Sequence, residues 1–218
     1  ADTLAAAGQD YPAAIVDLYL DLPDDYPAEV NALAVSVVGQ AGNPYEATRL
    51  IESYLRSNYT FDLEAAAPPP GQDAVEHFLF ESQSGYFDLF SSSMAVMLRS
   101  IGIPARVAVG FAPERSDYDP ATKTYLISEE RAWSWPEVFF PGLGWVEFNP
   151  TPTRPVASRP GDDSAARAAA EGLGASGVGT IFVDDIFTFD TGEPVDFESL
   201  FTEVEEDNNL AARLIGWL

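Results

Sequence analysis

Few side chains in this sequence could carry covalent or acid–base chemistry, and they are scattered. The chain has one imidazole, His77 in the stretch VEHFLF, and no cysteine. A thiol nucleophile, a thiolate metal site and a disulfide are therefore excluded within it. Ser91, Ser92 and Ser93 stand in a row, but a serine hydroxyl is a weak nucleophile without a base. His77 is the one candidate base, and a lone histidine serves packing or solvent more often than proton transfer. Asp88, Glu129, Glu130, Glu137 and Glu147 could pair as an acid and a base on a sugar, yet nothing in the sequence fixes them near one another. The acidic run from Asp184 to Asp207 lacks the alternating ligands and central glycine of a calcium loop. It reads as a solvated charge run. No metal and no cofactor is expected.

The elements that would position these groups centre on residues 85–106, GYFDLFSSSMAVMLRSIGIPAR. Gly85 suits a tight turn, and Phe90, Met94, Met97, Leu98 and Ile101 recur at helical spacing, which predicts a helix buried along that stripe. Gly102 ends it. Pro104 biases Ile103 toward extended backbone, so residues 105–112 read as the strand that follows. Upstream, Pro27 opens a helix that stops at Gly39. Asn43 caps a second, carrying Leu50, Ile51, Tyr54 and Leu55 as its buried stripe to about Asn58. Residues 11–23 stay open between helix and extended arm. Residues 59–63 alternate like a short strand, and AAAPPPG is a stiff connector. Strands are expected at 106–111, 124–128, 135–140 and 145–148, with PGLG as a hairpin connection between the last two.

Composition changes character after Pro155. Residues 1–20 form a lead-in, small and polar enough at 1–9 to fray. Residues 21–155 hold the main domain, 156–180 an Ala, Gly and Ser rich linker, and 181–218 an acidic extension with an amphipathic stripe of Phe197, Leu200, Phe201 and Val204. The chain of 218 residues carries 35 acidic and 11 basic side chains, a net charge of −24. Nucleic acid and anionic membrane surfaces are thereby disfavoured, while cationic ligands are not. No run of about 18 apolar residues exists, so the segment reads as soluble.

Residues 85–106, with the proline-rich loop before them and RAWSWPEVFFPGLGWVEFNPTP after them, resemble the bacterial transglutaminase-like superfamily. That resemblance implies an α+β, papain-like fold in which helices pack on an antiparallel sheet, here with an acidic C-terminal extension. It also implies a cysteine at the head of the buried helix, a histidine on a strand and an aspartate after the hairpin. A helix N-terminus would stabilise the thiolate, the histidine would take its proton and the aspartate would orient the imidazole. The matching positions hold Phe87, Trp133 and Asn149, so no catalytic residues are expected at them. The scaffold of the motif is retained, including Gly85, Tyr86, Pro104, Arg106, Trp135, Glu137, Pro141, Gly144, Trp145, Pro150 and Thr151.

Two readings of the aromatic replacements stay open. Phe87 and Trp133 fill a former cleft, or Tyr86, Phe87, Trp133 and Trp135 line a groove that stacks on a peptide side chain or a sugar ring. The resemblance implies a domain outside the cytoplasm, tethered by membrane segments beyond this chain. The functional expectation is an inactive binding or scaffolding module, with a peptide, a protein or a cell-wall glycopeptide as partner. The alternatives are a hydrolase or acyltransferase with a rebuilt, non-thiol site, and a purely structural assembly domain. The oligomeric state is not legible.

Overall fold

The computed structural model describes residues 1–23, 26–156 and 159. The linker, apart from Val156 and Arg159, and the whole acidic extension lie outside the described residues. Six helices and seven strands follow one another in the described part.

The N-terminal side is helical. Where fraying is expected from composition, α1 (Asp2–Ala5) forms and buries Leu4 against the core. The open stretch at 11–23 becomes α2 (Ala13–Tyr19). Helix α3 (Ala28–Val38) starts after Pro27 and stops at Gly39, with Val30 and Ala34 buried. Helix α4 (Pro44–Asn58) begins where Asn43 Oδ1 accepts from Glu46 N at 2.9 Å and proline takes the first position, which needs no N–H. Ile51 and Leu55 are buried as the periodicity predicts, but Leu50 is 39% exposed. The carboxyl-bearing Glu52, two positions on, is buried instead.

Two short strands then steer the chain. Strand β1 (Thr60–Phe61) pairs in parallel with β2 (Ser84–Gly85), setting Phe61 beside Gly85. Between them lie α5 (Ala74–His77), capped by Asp73, and a widened turn at Phe78–Ser82. Gly85 is needed for space rather than for its backbone angle. A Cβ there would stand 2.5 Å from Leu89 Cδ1 and 3.1 Å from the Phe78 ring.

The buried helix is α6 (Phe87–Ser100), with Phe90, Met94, Met97 and Leu98 at 0% exposure. Gly102, at φ +81°, releases the chain into β3 (Ala105–Phe111). Past the small ribbon of β4 (Tyr118–Asp119) and β5 (Thr124–Tyr125), β6 (Ala132–Phe140) returns antiparallel to β3, pairing Ala105 with Val138 and Gly110 with Trp133. Strand β5 is shorter than the expected 124–128, and β6 begins three residues earlier than expected. The Pro141–Gly144 turn leads to β7 (Gly144–Glu147), giving a sheet ordered β3-β6-β7. Helix α6 lies against β6 and β3. On the other face Tyr19 of α2 meets the edge of Trp145 at 4.6 Å.

Candidate functional site: an aromatic stack where the buried helix meets the sheet

Tyr86, in extended backbone, forms the N-cap of α6, so Phe87 is its first helical residue. Trp133 lies near the start of β6. Their rings pack at 4.8 Å between centroids and 34° between planes. Tyr86 meets Phe87 edge-on at 6.2 Å. Trp133 is only 8% exposed, whereas Tyr86 is 37% exposed and Phe87 is half-buried. Stacked aromatic pairs of this kind contribute about 0.5–1.5 kcal/mol beyond their area.

Two further groups complete the cluster, and no local sequence signal announces them. Phe61 approaches Trp133 at 6.2 Å because the β1–β2 pairing carries it to the head of α6. Arg154 places its guanidinium carbon 4.3 Å from the Trp133 ring centroid. Trp135 is not in this group. It packs over Gly110, where a Cβ would stand 3.1 Å from its ring, and no ring contact joins it to Phe87 or Trp133 among the described residues.

Asn149 follows β7, and its side chain is engaged within its own segment. Oδ1 accepts from Thr151 N at 3.1 Å and Nδ2 donates to Pro155 O at 3.1 Å. The segment is fixed from α4. Asn149 N donates to Glu52 Oε1 at 2.7 Å, and Arg49 Nη1 donates to Glu52 Oε2 at 2.7 Å. Arg56 spreads its guanidinium over the carbonyls of Asn149, Thr151, Pro152 and Arg154 at 2.9, 2.5, 3.4 and 2.7 Å. A rigid fork of donors suits that task.

Glu52 is 1% exposed, and burial pushes its carboxyl above the usual range while Arg49 and the Asn149 N–H oppose the rise. A raised folded pKa contributes stability that is fully present below the unfolded value and is lost as pH rises through the folded value. Glu52→Gln mimics the protonated form. Its stability relative to wild type is therefore expected to improve as pH rises from the ordinary carboxylate range through the raised value, read by urea unfolding at several pH values. A parallel pH dependence of the two proteins contradicts this.

The other candidate groups are apart. Ser91 Oγ donates to Ser134 O at 3.0 Å and is fully buried, with Ser134 Oγ donating back to it at 3.1 Å. His77 Nδ1 is 3.2 Å from Glu81 Oε2 on its own helical stretch, so it does not pair with a serine. Glu129, Glu130 and Asp88 are exposed. Contrary to the scattering read from the sequence, Glu137 and Glu147 face one another across β6 and β7. Glu137 is already bonded to Arg106 Nε at 2.6 Å, and Arg106 stacks on Trp145 at 4.1 Å. Among the described residues no group of three His, Asp or Glu could hold a metal ion.

Helices packed on an antiparallel sheet, with a buried helix whose head meets a strand, define a protein of the papain-like, transglutaminase-like class. The chain belongs to the transglutaminase-like superfamily, which its residues 31–150 match. It is 40% identical over 141 residues to the uncharacterized protein YebA of Bacillus subtilis, covering 62% of this chain and 19% of that protein. It is 32% identical over 102 residues to a protein-glutamine gamma-glutamyltransferase of Pseudomonas aeruginosa, covering 47% of this chain and 15% of that one. The chain thus spans a fifth or less of these curated relatives. The crystal structure of the periplasmic domain of TgpA from P. aeruginosa bound to ethylmercury superposes with a TM-score of 0.57 at 26% identity, covering 65% of this chain and 50% of that one. Among the described residues no helix is long and apolar enough to cross a membrane.

Proposed function

We propose that this chain is a non-catalytic transglutaminase-like domain, a binding or scaffolding module of a membrane-tethered protein that works outside the cytoplasm. The observation that carries the reading is the Phe87–Trp133 stack. It occupies the helix head and the strand where the family motif sets a thiol beside an imidazole, in a chain without cysteine. A benzyl ring and an indole can neither attack a carbonyl nor relay a proton as a thiol and an imidazole do. Asn149, at the third position, spends its amide on its own loop and has no imidazole to orient. The periplasmic TgpA domain among its relatives supports an extracytoplasmic setting.

Incubation with casein, a glutamine peptide and an amine donor is expected to give no ammonia or cross-link above background. Turnover abolished by one substitution would replace this reading with a hydrolase or acyltransferase using a non-thiol site. The triple variant Phe87→Cys, Trp133→His, Asn149→Asp probes the scaffold. Its thiol is expected to titrate within about 3.5–7.5 rather than near 8.5, because a helix N-terminus and an imidazolium both favour thiolate. Iodoacetamide labelling at pH 6 reads this directly, and an ordinary slow rate there would show that the scaffold does not hold a thiol-activating geometry.

A further inference from the structure

The Trp133 ring is stacked by a cation that the chain supplies to itself. We propose that the Trp133 ring, packed by Phe61 and Phe87, is a recognition site for an arginine side chain on a partner peptide, and that Arg154 occupies it as an internal stand-in. This deepens the binding-module reading and rests on it.

The first support is the occupant. A guanidinium carbon 4.3 Å from an indole centroid is in cation–π range, and a planar guanidinium can stack on an aromatic face as a compact ammonium cannot. The site already holds the group it would bind.

The second is how the occupant is held. The Arg154 backbone is anchored through its carbonyl to Arg56 at 2.7 Å, as are the carbonyls of Asn149, Thr151 and Pro152. Its guanidinium donates no hydrogen bond among the described residues, and the stack is its one side-chain contact of that kind. Vacating the ring therefore requires rotation about side-chain bonds, with the segment and its anchors left in place. Exposed Tyr86 and half-buried Phe87 give the site a solvent-facing side.

The third is charge. With 35 acidic against 11 basic residues, the chain attracts basic partners from a distance. Locally, loss of water disfavours the charged Arg154, Glu114 favours it and Arg131 opposes it. Glu114 is itself paired with Arg131 at 2.9 Å, so an incoming arginine meets a partly neutralised rim and gains its energy from the rings.

An internal competitor on a short tether acts at about millimolar effective concentration, and removing it raises the apparent affinity by the reciprocal of the fraction of time the site stands open. Calorimetry would compare wild type, Arg154→Ala and Arg154→Ala/Trp133→Phe. The probes are acetyl-Gly-Gly-Arg-Gly-Gly-amide and its citrulline and lysine counterparts. Citrulline keeps the plane and loses the charge. Arg154→Ala is expected to bind the arginine peptide about tenfold more tightly than wild type, as for a site open a tenth of the time. The citrulline peptide should bind at least about tenfold more weakly, since cation–π attraction needs the charge.

Trp133→Phe keeps an aromatic ring for packing and is expected to lose most of the gain. Circular dichroism and the unfolding midpoint confirm that each variant is folded. Equal affinity of wild type and Arg154→Ala, equal binding of arginine and citrulline, a preference for lysine, or no binding to Arg154→Ala would each overturn the arginine site. None of those outcomes touches the non-catalytic reading, which stands or falls on turnover by the wild-type protein.

Discussion

Replacing Trp133 by alanine is expected to lower the unfolding free energy by about 3–5 kcal/mol, the range for deleting a buried aromatic. The indole is 8% exposed and is packed by Phe87 at 4.8 Å, Phe61 at 6.2 Å and the Arg154 guanidinium at 4.3 Å, so its loss leaves a cavity bordered by three groups from separate parts of the chain. These groups sit on β1, on the head of α6 and on the segment after β7, and they cannot all collapse inward together. The measurement is the urea midpoint at constant slope. Val109→Thr on β3 serves as the control, since Val109 is 78% exposed and surface changes stay within about 0.5 kcal/mol. A Trp133→Ala loss below about 1 kcal/mol would mean that the rings are not a packing element. It would leave ligand binding as the reason for keeping them.

The second large effect is expected at Arg56. Arg56→Met keeps most of the aliphatic stem but removes the donors to four carbonyls between Asn149 and Arg154. Hydrogen bonds to a charged donor contribute about 1.5–3 kcal/mol each, and water can replace some of them in this half-buried site, so a loss of about 3 kcal/mol is expected. Glu52 holds the same segment through Asn149 N, so the pair Arg56→Met and Glu52→Gln should be non-additive by more than about 0.5 kcal/mol. Additive losses would show that α4 holds the segment through independent contacts. Because Arg154 rides on this segment, Arg56→Met should also shift tryptophan emission, a change that simple loss of helix stability below the transition would not produce.

How far the sequence reaches can be judged element by element. The stripe of Phe90, Met94, Met97 and Leu98 names α6 and its buried face, because a 3.6-residue period has one physical reading. Asn43–Pro44 and the Gly39 and Gly102 stops bound helices correctly for the same local reasons. The expected strand at 124–128 is a two-residue pairing, and β6 starts at Ala132, since strand limits are set by partners distant in the chain. Leu50 departs from its expected buried place, and Glu52 is buried in the same helix. An apolar side chain at the edge of a stripe can remain in water, and a carboxylate can be buried when Arg49 and a backbone N–H await it.

The sequence by itself determined that no thiol chemistry resides in this chain and that one long helix is buried along an apolar stripe. These are facts of composition and of order along the chain. Only the tertiary structure decided that Phe87 and Trp133 stack, that Trp135 lies over Gly110, that Glu137 and Glu147 are opposed, and that Phe61 and Arg154 close on the indole. Each of these joins residues from different elements. Such contacts depend on how the β1–β2 pairing, the β3-β6-β7 register and the α4 clamp fold the chain back on itself, and local propensity holds no record of that.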